Sequence, residues 1–167
     1  MSTKKKILTI GGVSLLIFGL IFFGKNLFVS LSYTDKTKRD IFDNDDKITS
    51  QWDSYSYLYC AGENKDSETD LAFRFTGMDT IWKITSENNV DILMKYDSQI
   101  SHGNFKVVLI DTDGKIINLS EQSMVGEKIV TLKKGENRIK IVGKDAKGQF
   151  KLKIESNGLV TLNPENH

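Results

Sequence analysis

Gly148-Gln149-Phe150-Lys151-Leu152-Lys153-Ile154 alternates apolar and basic side chains after its opening glycine. In an extended chain successive side chains leave opposite faces, so Phe150, Leu152 and Ile154 share one side and the lysines the other. That is the pattern of a half-buried strand. Around it, glycines at 103, 114, 126, 135, 148 and 158 recur every 9 to 13 residues between short apolar runs, the rhythm of a β-meander. Phe105, Val107 and Leu109 alternate with Lys106, Val108 and Ile110. Asp111-Thr112-Asp113-Gly114 then supplies a turn, and Ile116-Ile117-Asn118-Leu119 begins the return, which reads as a hairpin. Ile129-Val130-Thr131-Leu132, a loop at 133–137, and Ile139 with Ile141 complete the run.

The half that precedes it repeats the alternation. Trp52 opens an aromatic stretch with Tyr55, Tyr57 and Tyr59 at every second position, so a strand here is expected to place three phenols on one face. Leu71, Phe73 and Phe75 alternate with Ala72, Arg74 and Thr76 and stop at Gly77. Trp82 and Ile84 follow a turn, and Val90, Ile92, Met94 and Tyr96 alternate beyond Ser86-Glu87-Asn88-Asn89. No stretch after residue 24 carries a helical stripe. The expected body is therefore all-β, an antiparallel two-sheet β-sandwich or jelly roll of eight to nine strands over residues 52–162, with 163–167 as a tail.

The N-terminal part differs. Lys4-Lys5-Lys6 precedes Ile7–Gly24, an 18-residue run without charge, which as a helix spans about 27 Å, close to the thickness of a bilayer core. The reading is a cytoplasmic basic segment at 1–6, a transmembrane signal anchor at 7–24, and everything beyond Lys25 on the outside. A cleaved secretory signal, with Ser30-Leu31-Ser32 as the small-residue site, is the alternative and would make the protein secreted. Residues 25–51 are polar and read as a stalk, from which Ile41, Phe42 and Ile48 have the option of docking on the domain.

Charge is unevenly spread. Residues 33–102 hold 8 basic and 14 acidic side chains, whereas 103–155 hold 11 basic and 7 acidic. Arg138, Lys140, Lys151 and Lys153 alternate with core positions and are expected on one outward basic face. Binding a polyanion there competes with the simpler role of a soluble sheet face. Nucleic acid is not expected outside a membrane.

Catalysis finds little support. Cys60 and His102 form the one conceivable nucleophilic dyad, and sortase-type transpeptidases, which carry histidine before cysteine, are not matched by this order. Two histidines and one cysteine show no metal-ligand spacing. Asp43-Asn44-Asp45-Asp46 and the 111–114 turn lack the loop spacing of a calcium site. No phosphate loop or dinucleotide fingerprint is present, so no cofactor is expected.

Gly135-Glu136-Asn137-Arg138-Ile139-Lys140-Ile141-Val142-Gly143 and Gly148–Ile154 resemble the closing strands of small membrane-anchored or secreted extracellular β-sandwich proteins of low-GC Gram-positive bacteria, and loosely those of carbohydrate-binding modules. The resemblance covers about a third of the chain and bears on address and fold. The reading is a non-enzymatic extracellular binding module, with cell-wall glycan or an anionic wall polymer as candidate ligands. Trp52, Tyr55, Tyr57 and Tyr59 would supply the aromatic platform, a reading that competes with the tyrosines packing against the second sheet with their hydroxyls at its rim. A structural or accessory subunit of a membrane protein complex is the alternative.

Overall fold

Three long runs of alternation frame the body, each with the apolar residues of every second position turned toward a common core. The computed structural model describes residues 36–166, so the basic segment at 1–6 and the 7–24 run lie outside the described residues. Among the described residues no helix is long and apolar enough to cross a membrane. The chain divides into residues 1–37 and 38–167, and every described strand belongs to the second unit.

Among the described residues, helical residues at 36–39 are followed by the short helix α1 (Asp45–Ile48) and seven strands: β1 (Ser54–Lys65), β2 (Glu68–Ser86), β3 (Val90–Ile110), β4 (Ile116–Glu121), β5 (Met124–Leu132), β6 (Gly135–Glu155) and β7 (Val160–Pro164). All pairings are antiparallel. β6 lies between β2 and β3 along its whole length. In the first layer β1 pairs with residues 68–78 of β2, and β5 with residues 90–98 of β3. In the second layer β7 pairs with residues 82–86 of β2, and β4 with residues 106–110 of β3. The layer orders are thus β1-β2-β6-β3-β5 and β7-β2-β6-β3-β4.

The fold is all-β and sandwich-like, but it has seven strands rather than eight or nine. The turn expected after Gly77 is instead a bend within β2, and β3 and β6 bend likewise at 100–104 and 143–146, each marked by a shift in register. A bulge inserts an unpaired residue, bends the strand and lets pairing resume. Gly77 shows why glycine sits at such a place: its φ is +113°, and a Cβ there would lie 2.0 Å from the Ser54 carbonyl oxygen. β7, which follows Gly158, is the seventh strand and takes in the first two residues of the expected tail.

The layers close on an aromatic core. Phe73 of the first layer stacks on Phe105 of the second with ring centroids 4.9 Å apart, and Phe105 meets Phe150 at 5.7 Å. All three are fully buried, as are Trp82, Ile84, Met94, Leu109, Ile139 and Ile141. Each such side chain contributes about 1.5–3 kcal/mol by leaving water. The Trp82 indole donates to Thr69 Oγ1 at 2.8 Å, Thr69 to Asn64 Oδ1 at 2.9 Å, and Asn64 Nδ2 to the Glu165 carbonyl at 2.7 Å. A buried polar chain is thereby satisfied to its end.

Residues 38–53 take the docking option left open for the stalk. Ile41, Phe42 and Ile48 are buried against Met78, Val108, Ile110 and Val142 on the outer face of the sheet, a small second core. Asn44 caps α1 by accepting from Lys47 N at 3.0 Å, and Asp43 pairs with Lys144 at 3.0 Å, so this acidic stretch is occupied by capping and ion pairing. Arg39 binds both carboxylate oxygens of Asp145, at 3.0 and 2.8 Å. The body thus includes residues 38–51 as a strap across the sheet.

Candidate functional site

The strap decides what becomes of the expected basic face. Arg138, Lys140 and Val142 alternate with the core residues Ile139 and Ile141, so they leave the sheet on its outer side, where the strap passes. Arg138 donates to the Ser50 and Thr49 carbonyls at 2.8 and 3.0 Å. Lys140 is 0% exposed: its Nζ donates to the Ser50 carbonyl at 2.8 Å and lies 3.0 Å from Asp53 Oδ1. Burial pushes the Lys140 ammonium below the usual lysine range, and Asp53 opposes that shift. These two cations fasten the strap and are closed to a ligand. Lys151 and Lys153 are exposed, but each is paired, with Asp70 and Glu68 at 3.1 Å. The four residues do not form one basic face.

The aromatic platform is also divided. Tyr55 and Tyr57 pack against the main core, with rings 5.2 Å apart, and Tyr57 lies 5.3 Å from Phe75. The Tyr57 hydroxyl donates to Asp79 Oδ2 at 2.5 Å, and burial together with that carboxylate holds the phenol protonated. Tyr59 departs from this side because β1 is irregular at Leu58: Tyr57 pairs with Phe75, but Tyr59 pairs with Arg74. The extra residue flips the side chains beyond it. Tyr59 is 43% exposed on the outer face, and Trp52, at 83%, stands free before β1 begins.

Cys60 and His102 do not meet. Cys60 pairs with Phe73 of β2, while His102 pairs with Lys147 of β6. Two strands intervene, three steps of about 4.8 Å, or roughly 14 Å. Burial and Asp79 raise the Cys60 thiol, the opposite of activation. Among the described residues no cluster of three or more metal-ligating side chains occurs. The 111–114 turn is closed on itself, Asp111 Oδ1 accepting from Asp113 N and Lys115 N at 2.9 and 2.8 Å.

What sequence reasoning missed is the outer face of the first layer, which among the described residues the strap leaves open. Two hollows adjoin on it. One, of about 610 Å³, crosses β2, β6, β3 and β5 and is lined by Glu68, Asp70, Lys95, Asp97, Lys151 and Lys153. The other, of about 350 Å³, is lined by Tyr59, Gln99, Ser101, Ser123, Lys147 and Gln149. Gln99 and Gln149 are directly opposed across β3 and β6. The hollows therefore present amides, carboxylates and ammonium groups on a rigid sheet. The signal that would have found them is the outward set at 95, 97, 99, 147, 149 and 151, alternating with core positions.

No protein-family model matches the chain, and no curated protein sequence matches it. Among solved structures, a family 35 carbohydrate-binding module from an environmental isolate aligns at 12% identity over 67% of this chain and 82% of its own, with a TM-score of 0.36. A second family 35 module, solved with a disaccharide containing glucuronic acid, aligns at 12% identity over 68% and 82%, with a TM-score of 0.37. A Cellvibrio mixtus family 6 module from lichenase 5A, solved with cellotriose, aligns at 11% identity over 66% and 92%, with a TM-score of 0.31.

Proposed function

We propose that this domain is a non-catalytic binding module that holds a glycan on the open outer face of its first layer, displayed outside a cell membrane by the uncharged run Ile7–Gly24. The observation that carries the reading is an asymmetry. The outer face of the second layer is roofed by the chain's own strap, while that of the first layer is, among the described residues, open, hollowed and lined with hydrogen-bonding side chains. A sugar ring offers hydroxyls at its edge and an apolar face. Paired amides and charges on an ordered sheet meet the first, and Tyr59 meets the second. The hydropathy run and the lysines before it support the address.

The test is retention of the full chain on insoluble cellulose, xylan, chitin and purified peptidoglycan. Retention of one or more, lost in a Gln99→Ala/Gln149→Ala double variant of unchanged stability, is expected. Retention of none, with crosslinking to a single stoichiometric membrane protein, would replace this reading by that of an accessory subunit. The address is tested separately, by protease added to intact cells, which is expected to degrade the domain.

A further inference from the structure

Resting on the glycan reading, we propose that Tyr59, Arg74, Lys147 and His102 form a subsite for a sugar carrying a single anionic group, a carboxylate by preference, within a polymer whose other units are uncharged. The four residues stand in one row across the sheet: Tyr59 pairs with Arg74, Arg74 with Lys147, and Lys147 with His102, on β1, β2, β6 and β3. Directly opposed residues on neighbouring strands lie about 5 Å apart, and all four side chains are exposed.

Two of the four reach the row only through irregularities. The shift at Leu58 turns Tyr59 outward, and the shift between Ile100 and His102 brings His102 opposite Lys147. Bulges that re-aim a side chain are concentrated beside functional sites. Here two of them, on strands flanking the central pair, converge on the same row.

Ion pairing separates this row from its surroundings. On the same face Lys151, Lys153 and Lys95 are paired with Asp70, Glu68 and Glu155 at 3.1, 3.1 and 2.9 Å. Among the described residues neither Arg74 nor Lys147 has a carboxylate within ion-pair distance. An arginine fork beside an ammonium accepts a carboxylate with geometric specificity, while the adjacent tyrosine ring offers its face to the sugar that bears it. The neighbouring hollow sets the spacing. Its three lysines face four carboxylates, Glu68, Asp70, Asp97 and Glu127, so a polymer charged at every unit would meet repulsion there, and a neutral unit would not.

The experiment titrates the full chain with three probes: an oligosaccharide alternating uronic acid with N-acetylated sugar, the same oligosaccharide with its carboxyls reduced to alcohols, and a polyuronate charged at every unit. A poly(glycerol phosphate) arm distinguishes phosphodiester from carboxylate. The alternating oligosaccharide is expected to bind at least tenfold more tightly than the reduced form and than either dense polyanion. Arg74→Gln or Lys147→Gln is expected to abolish that preference while Lys151→Gln leaves it. Equal binding of the reduced form, preference for a dense polyanion, or an equal effect of Lys151→Gln would overturn the subsite and leave the glycan reading standing. Retention of no polysaccharide at all would remove both.

Discussion

Lys140 and Asp53 are joined across 3.0 Å, with the lysine wholly buried between the sheet and the strap. A cation in that position is tolerable only while its partners are present, since breaking one side of a buried pair leaves the other charge uncompensated. Asp53→Asn is therefore expected to lower unfolding free energy by about 2–4 kcal/mol in chemical denaturation, the range discounted for the partial exposure of Asp53. Lys140→Met removes the buried cation and leaves Asp53, which is partly exposed and still accepts from Thr80 Oγ1 at 2.9 Å, so it is expected to cost less.

The Arg39–Asp145 pair predicts the behaviour in acid. The Arg39 hydrogen bonds hold the Asp145 carboxyl below its ordinary value. A carboxyl whose folded pKa is depressed binds fewer protons folded than unfolded, so its contribution is complete above the unfolded value, near 3.8, and is lost as pH falls through the lower, folded one. Stability measured from pH 5 to pH 2 is expected to fall less steeply in Arg39→Ala than in the parent. Both side chains are partly exposed, so the difference will be small and will shrink in salt.

The strap predicts where the domain can be cut. A chain beginning at Lys38 is expected to fold, because it keeps Ile41, Phe42 and Ile48 over Met78, Val108, Ile110 and Val142. One beginning at Trp52 exposes that apolar stripe together with Arg138 and Lys140, and is expected to aggregate or to melt far lower. Ile48→Ala, at a fully buried position, is expected to cost about 2–5 kcal/mol.

Gly77 offers a test of the bend. Alanine there meets both a left-handed backbone and the Ser54 carbonyl, so Gly77→Ala is expected to lower the melting temperature more than Ala72→Gly, which only loosens the same strand. Gly143→Ala, whose added methyl would come within 2.7 Å of the Phe75 ring, is expected to cost about 1–3 kcal/mol by overpacking.

Alternation at 71–75, 90–96 and 150–154 exposed the strands because each buries one face. It did not show where strands end, since glycine serves equally in a turn and in a bulge, and at Gly77 the chain bends where a turn was expected. The regular spacing of Tyr55, Tyr57 and Tyr59 was misleading for a related reason. Nothing in Leu58 announces that it is the unpaired residue, although an apolar side chain 76% exposed is the trace it leaves. Arg138 and Lys140 do point away from the main core, as their alternation implies. That outward direction there means beneath a cover depends on Thr49, Ser50 and Asp53, about ninety residues earlier, which no local pattern can reveal.

The place of β6 bears on how the protein is made. Its 21 residues fill the space between β2 and β3 over nearly their full length, yet they emerge after both. Until residue 155 has been synthesised, β2 and β3 lack the strand that joins them, and their unpaired backbone amides and carbonyls invite a foreign strand. Contacts so distant in sequence also form slowly. A chaperone that shields nascent chains during that interval would set how much of this protein reaches its working place.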